Sequence, residues 1–347
     1  MSPLLLSILI PALLLGTAVT LTSSSWVVAW VGLELNTLAI LPLMAELQHP
    51  RATEAAVKYF IVQAVGAATL LFAAGLNVWM TGEWGLQHFM EPVPAAIATL
   101  ALALKLGLAP THFWLPEVLQ GLNLTIGLIL STLQKLGPFA LLTQINGQNP
   151  LLLIAIGVIS VLVGGWGGLN QTQLRKILAY SSIAHLGWMT IVLPFSQSIA
   201  LMTLALYFVM TFSAFIVFKV TFSTNINSLS LSWAKSPALT AVTPLVLLSL
   251  GGLPPLSGFV PKWLTLAELS TQGLIIFAVI IALAALLSLF YYLRLCCVMA
   301  FTMTGNTVMG RSPWQFPTKP PLSLTITTLA SFALLPVTPL AFAIFAH

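Results

Sequence analysis

Four charged residues stand where an otherwise apolar chain should carry none: Glu34 in WVGLELN, Lys105 in LALALKLGLAP, Lys135 in STLQKLGP and Lys262 in LPPLSGFVPKW. Each lies in a run long enough to be read as a membrane-crossing helix, the first three near its middle. A charge at such a helix centre costs about 2.5 to 3.5 kcal/mol even on the lenient insertion scale. The chemistry these residues can do is proton transfer. A carboxylate close to a lysine stabilises the ammonium form, and a buried ammonium deprived of that partner is relieved by releasing its proton. A lysine with a movable acidic partner can therefore load and unload. In this reading Glu34 is the switchable partner, Lys105 the carrier, and Lys135 and Lys262 pass the proton on. His185, midway along another apolar run, links two halves of the path, because an imidazole accepts on one nitrogen and donates from the other. Its plainer alternative is a histidine satisfied by a backbone carbonyl. His112 lies in a proline-rich interruption, where it either caps freed carbonyls or joins the relay.

Two plainer readings compete for the lysines. Snorkelling requires the ammonium to reach the headgroups, yet ten residues of helix measure about 15 Å. It fits Lys105 and Lys135 poorly and Lys262, nearer the end of its segment, better. The other is a structural Glu-Lys tie between helices.

The elements that must hold these residues are marked by a repeat. GLAPTHFWLPE, Gly107 to Glu117, is echoed by GLPPLSGFVPK, Gly252 to Lys262, with Gly107 on Gly252, Leu108 on Leu253, Pro110 on Pro255 and Pro116 on Pro261 at a constant offset of 145 positions. A proline inside a helix removes a backbone hydrogen bond and clashes with the preceding turn, so both segments should be broken helices. Paired interruptions at corresponding places in two halves point to the transport site of a membrane carrier, and unwound backbone can hold the water that bridges distant proton carriers.

Composition agrees. Of 347 residues 59% are hydrophobic and 5% charged, with a mean hydropathy of +1.03. At roughly 20 apolar residues per crossing, the chain reads as all-α, a polytopic membrane protein of about eleven transmembrane helices. The spans fall near residues 3–21, 26–46, 55–80, 93–119, 123–143, 151–169, 174–193, 199–222, 238–269, 274–299 and 322–345. The first is read as a helix rather than a cleaved signal, having no basic flank or small-residue cleavage site. Adding the offset carries the first five spans onto the next five. The chain is thus one transmembrane domain of two inverted five-helix repeats, about 3–143 and 150–299, with a surface connection over about 300–321 and a C-terminal helix over about 322–345.

Charge placement supports that count. Arg51, Lys58, Arg175, Lys176, Lys219, Lys235, Arg294, Arg311 and Lys319 all fall at connections after even-numbered spans, whereas Glu83 and Glu91 fall on the other face. By the positive-inside rule the basic face and the N-terminus lie on the cytoplasm-like or matrix side, and the C-terminus lies opposite. Single basic residues make no patch for nucleic acid, despite a net charge of +5. The two cysteines, Cys296 and Cys297, are adjacent and suit neither an intrachain disulfide nor a cluster ligand set. Gly164-Gly165-Trp166-Gly167-Gly168 follows no strand and reads as a helix-packing surface. No flavin, haem, metal or nucleotide ligand set appears, so the energy for proton movement must come from a coupled ion or a partner protein.

The combination of Glu34, Lys105, Lys135 and Lys262 in the motifs quoted resembles the antiporter-like subunit family of NADH:ubiquinone oxidoreductase, respiratory complex I, in its second-subunit, vertebrate mitochondrial form. The resemblance covers essentially the whole chain. That family is usually built of fourteen helices around two inverted five-helix repeats, and its animal members resemble the plan less the first three helices. It implies a proton-translocating subunit of the membrane arm, with Glu34 and Lys105 as the coupled pair, Lys135 as the central lysine and Lys262 as the terminal one. His185 is a less direct carry-over. It implies no cofactor in this chain, with NADH, flavin, iron-sulfur clusters and ubiquinone handled by partner subunits. The implied partners are neighbouring antiporter-like and small helical membrane subunits together with lipids, and the implied location is the mitochondrial inner membrane.

Two other functions share the fold. A self-contained cation/proton antiporter usually needs several intramembrane carboxylates, whereas this chain has one central glutamate and no aspartate. A structural spacer leaves the central charges without a purpose.

Overall fold

The computed structural model describes residues 3–46, 49–86, 91–145, 149–234, 237–301 and 322–339. The chain divides into two compact units, Met1–Ser160 and Val161–His347. Among the described residues every regular element is helical, and seven helices are long and apolar enough to cross a bilayer.

The first unit contains α1 (Pro3–Thr22), α2 (Trp26–Met44), α3 (Pro50–Thr81), α4 (Pro92–Leu106), α5 (Trp114–Gly121), α6 (Leu124–Ser131), α7 (Leu133–Gln144) and the start of α8 (Pro150–Gly168). Helix α3 is punctuated at both ends by its sequence. The His49 side chain accepts from Arg51 N–H, Pro50 occupies the first turn, and Gly82 closes the helix in the left-handed region at φ +80°. Helices α1 and α2 approach closely: a Cβ on Gly16 would stand 2.4 Å from Asn36 Oδ1, and one on Gly32 would stand 2.7 Å from Thr20 Cγ2. Small residues let the two backbones meet without a strong hydrophobic drive between apolar helices in lipid.

The second unit contains the end of α8, then α9 (Leu174–Val192), α10 (Gln197–Val220), α11 (Ile226–Ser230), α12 (Pro237–Gly251), α13 (Phe259–Thr271), α14 (Ile275–Phe301) and α15 (Leu322–Ala333). The glycine cluster near the end of α8 is a packing surface here. Ideal Cβ atoms on Gly164, Gly167 and Gly168 would stand 2.6, 2.3 and 2.7 Å from Ala184 N, Tyr180 Cε1 and Tyr291 Cδ1 respectively. The Arg294 guanidinium donates to the Leu169 carbonyl at 2.8 Å, satisfying backbone just beyond the α8 C-terminus. Cys296 and Cys297 are free thiols, the first half-buried and the second exposed.

The long apolar helices cover the expected spans one, two, three, five, six, eight and ten, the fifth being α6 and α7 taken together as Leu124–Gln144. Spans four and nine each form two pieces, α4 with α5 and α12 with α13, separated by residues 107–113 and 252–258. Span five, expected as continuous, is divided after Ser131 into α6 and α7. The Thr132 hydroxyl bonds to the Leu128 carbonyl at 2.8 Å, Lys135 N–H reaches back to the Thr132 carbonyl in a tight turn, and Pro138 cannot donate within α7. A hydroxyl competing for backbone and a proline inside the helix together interrupt the ladder. Lys235, Arg311 and Lys319, most of the 300–321 connection and residues 340–345 of the last expected helix lie outside the described residues.

Candidate functional site

In the first unit α4 ends because Gly107 adopts φ +77°. Gly107 N–H bonds to the Leu104 carbonyl and Leu108 N–H to the Ala103 carbonyl, the paired bonds of a Schellman ending. The chain resumes helix only at Trp114. Side chains add further bonds at the break: Trp114 Nε1 is a second donor to Leu104 O at 3.1 Å, Gln63 Nε2 donates to Lys105 O at 3.3 Å, and Ser160 Oγ accepts from Ala109 N–H at 2.9 Å. His112 lies inside the interruption with Nδ1 3.2 Å from the Pro110 carbonyl, a capping position.

Lys105 occupies the last turn of α4 and is 4% exposed. Its Nζ lies 4.0 Å from Glu34 Oε1 of α2 and has no hydrogen-bond partner. The pair is an ion pair without a hydrogen bond, since a charged N–H···O contact closes at about 2.7 to 2.9 Å. The glutamate side chain is 24% exposed against 1% for the lysine, and its other oxygen accepts from Thr37 Oγ1 at 3.2 Å. One partner is locked in the protein and the other stands at the edge of the unit.

Lys135, 3% exposed, sits in the first turn of α7, directly after the break at Thr132. Lys105 and Lys135 line one cavity of ≈ 10 Å³ with Tyr59, Gln63, Trp114 and Gln134. That is about the room one water needs, and the lining offers it polar neighbours. Gln134 ties this wall together: its Oε1 accepts from the Tyr59 hydroxyl at 3.4 Å, and its Nε2 donates to the Asn36 carbonyl of α2 at 3.2 Å. Sequence reading missed Tyr59, Gln63 and Gln134. The available signal was the same as for the lysines, a polar side chain inside an apolar run, but without charge it stood out less.

In the second unit α12 ends as α4 does, with Gly252 at φ +76° and bonds from Gly252 N–H to Ser249 O and from Leu253 N–H to Leu248 O. Lys262 lies beyond the interruption, in the first turn of α13. Its Nζ folds back and donates to the Gly251 carbonyl at 2.6 Å, so it caps the broken helix rather than stretching to a headgroup. The Ser257 hydroxyl, also in the interruption, donates to the Ser331 carbonyl of α15. His185 is buried in α9, its ring centroid 5.5 Å from that of Tyr207 of α10. The structure thus brings Glu34, Lys105 and Lys135 together in one unit, with His112 in the adjoining break, and holds Lys262 and His185 in the other. Glu117, read from sequence as a boundary residue, is exposed and pairs with Lys58 at 2.7 Å, which also holds Glu54 at 2.7 Å.

Known proteins resemble this chain over nearly its full length. Residues 23–288 match the family model described as NADH:quinone oxidoreductase/Mrp antiporter, TM, and residues 289–342 match NADH dehydrogenase subunit 2 C-terminus. NADH-ubiquinone oxidoreductase chain 2 of Tetraodon nigroviridis is 59% identical over 340 residues, 98% of each chain. That of Salmo salar is 58% identical over 341 residues, again 98% of each. A solved structure of respiratory complex I from Thermus thermophilus with bound Aureothin contains a chain that superposes with a TM-score of 0.81 at 28% identity, covering 96% of this chain and 78% of that one.

Proposed function

The chain belongs to the NADH-ubiquinone oxidoreductase chain 2 family, and from that premise we propose that its buried charges carry protons through the membrane arm of respiratory complex I. As a subunit of that complex it takes part in proton-translocating NADH:ubiquinone reduction. We assign the redox steps to partner subunits, which include neighbouring antiporter-like and small helical chains. The setting is the mitochondrial inner membrane, with the N-terminus on the matrix side and the C-terminus on the intermembrane-space side.

One observation carries the reading: among the described residues, Lys105 Nζ is buried with a single charged partner 4.0 Å away, Glu34, and no hydrogen bond to fix it. With Glu34 drawn in, the ammonium is stabilised and Lys105 holds its proton. With Glu34 turned away toward the edge of the unit, a buried charge loses its counterion, and the relief is release of the proton. The cavity shared with Lys135 gives that proton a path. A water there accepts a proton from the Lys105 ammonium and passes one of its own to a neutral Lys135 amine, so only the two lysines change charge. In the second unit Lys262 and His185 serve as carriers, and the bond from Lys262 to the Gly251 carbonyl weakens when the lysine gives up its proton, because an uncharged amine is the poorer donor. His112 holds the backbone of the first interruption in shape.

The test is Lys105→Met in the intact complex. The expected outcome is a full-size assembly on a native gel that stains for NADH dehydrogenase activity, with NADH-driven proton movement across the membrane reduced by about a hundredfold or more. Normal pumping by an assembled Lys105→Met complex would refute the assignment.

A further inference from the structure

The relay above requires Glu34 to come and go while Lys105 stays in place, which needs a fixed distance between the helices that carry them. Helix α3 packs against both α2, which carries Glu34, and α4, which carries Lys105. On α3, Tyr59, Gln63 and Gly66 fall four and three residues apart and share one face. The Gln63 amide donates to the Lys105 carbonyl at 3.3 Å and so holds the lysine's own backbone. One turn along, a Cβ on Gly66 would stand 3.0 Å from Lys105 Cγ and 3.0 Å from Leu104 Cδ2. The glycine leaves the lysine stem a seat against α3 that a methyl group would crowd.

The next residue of α3, Ala67, serves α2 instead. Its carbonyl accepts from Trp30 Nε1 at 3.1 Å. Trp30 precedes Glu34 by four residues, so the two side chains are neighbours on one face of α2. Consecutive residues of α3 thus fix the carrier's side chain and the switch's helix. The separation they leave is 4.0 Å between Lys105 Nζ and Glu34 Oε1. That lies inside the roughly 4 to 6 Å over which a carboxylate acts on an ammonium and outside the about 2.7 to 2.9 Å of a charged hydrogen bond. The Trp30 and Gln63 bonds could serve any pair of apolar helices as interhelical ties. The seat at Gly66 could not, since what it accommodates includes the carrier's own side chain.

We propose that α3 sets the working distance of the pair, with Gly66 seating the Lys105 stem and Trp30 pinning α2 beside Glu34, and that both are positioning residues for proton loading. The proposal rests on the reading of Glu34 and Lys105 as a switch and supplies its fixed frame. With both helices held to α3, the carboxylate approaches and withdraws by rotation of the Glu34 side chain alone, and no helix has to move. The glutamate side chain is 24% exposed and has room to turn, whereas the lysine side chain, at 1%, does not. A tighter frame would let the pair close into a hydrogen bond that holds the proton. A wider one would take the ammonium beyond the reach of the carboxylate. Either error uncouples proton loading from the position of Glu34.

The experiment makes Gly66→Ala and Trp30→Phe separately, in the intact complex in its membrane, with Glu34→Gln measured alongside. Gly75→Ala is the control, because it makes the same change in the same helix where a Cβ would meet nothing within 4 Å. Assembly is read on a native gel stained for NADH dehydrogenase activity, and transport as protons moved per NADH oxidised, a ratio that a smaller amount of intact complex leaves unchanged. The proposal predicts assembled complexes with a lowered ratio for Gly66→Ala and Trp30→Phe, and wild-type behaviour for Gly75→Ala. A wild-type ratio in either positioning variant overturns it, even where less complex is assembled, and so does an equal loss in Gly75→Ala. If that happens while Glu34→Gln lowers the ratio, the switch stands without its frame; a wild-type ratio in Glu34→Gln overturns switch and frame together. Should Gly66→Ala not assemble, Trp30→Phe decides, and failure of that conservative variant to assemble overturns the proposal in favour of a purely structural tie.

Discussion

At the first interruption the carbonyls released by the end of α4 are taken by Trp114 and Gln63, and Lys105 is left to face Glu34 across 4.0 Å. At the second, the position matching Trp114 is Phe259, which has no donor, and Lys262 donates at 2.6 Å to a different carbonyl, Gly251 O, which matches Leu106 O. Both breaks open with the same glycine-closed helix end, φ +77° at Gly107 and φ +76° at Gly252. They differ in which group neutralises the lysine. A lysine relieved of capping can answer to a carboxylate that moves, whereas a lysine that caps is tied to the integrity of its own helix end. On the proposed relay, the first break suits switching and the second ties proton occupancy to local backbone structure.

The sharpest way to break this contrast is Lys262→Met. Here the Gly251 carbonyl loses its donor, so the variant should lose about 1 to 3 kcal/mol of stability as well as pumping, seen as less assembled complex on a native gel. Lys262→Arg should restore assembly, because the guanidinium still donates, but not pumping, because it does not release its proton. Equal assembly of Lys262→Met and Lys105→Met would erase the distinction. Trp114→Phe, which gives the first break the residue type of the second, should cost about 1 kcal/mol for the lost bond to Leu104 O, visible as a lower midpoint of thermal inactivation of the assembled complex. The smallest effect belongs to Lys58→Met at the surface end of the first break. Its contacts with Glu54 and Glu117 are exposed, and surface pairs contribute little. Assembly and pumping should be indistinguishable from wild type; a clear loss would draw Glu117 into the path.

The two breaks were legible in the chain because glycine and proline act locally: Gly107 and Gly252 end helices whatever surrounds them, and the prolines that follow keep the backbone from resuming at once. Glu34, Lys105 and Lys135 were legible because a charge in an apolar run carries its own cost. The division of span five at Thr132 was not. A threonine and a proline are tolerated in many helices, and only the packed structure decides that the Thr132 hydroxyl takes the Leu128 carbonyl. Nor could sequence tell that Lys262 turns back on Gly251, since snorkelling and capping differ only in side-chain direction. The link from Lys105 to Lys135 through Tyr59 and Gln134 depends on three helices meeting, with sequence separations that no local pattern encodes.

The central claim is that Lys105 loads and unloads its proton because Glu34 can approach and withdraw. Glu34→Gln tests it most directly, since the amide keeps the shape and the hydrogen bond from Thr37 but removes the charge. Measured in the assembled complex as protons moved per NADH, the account predicts normal assembly and a clear loss of pumping, comparable with that of Lys105→Met. Unchanged proton stoichiometry in the assembled Glu34→Gln complex would contradict it.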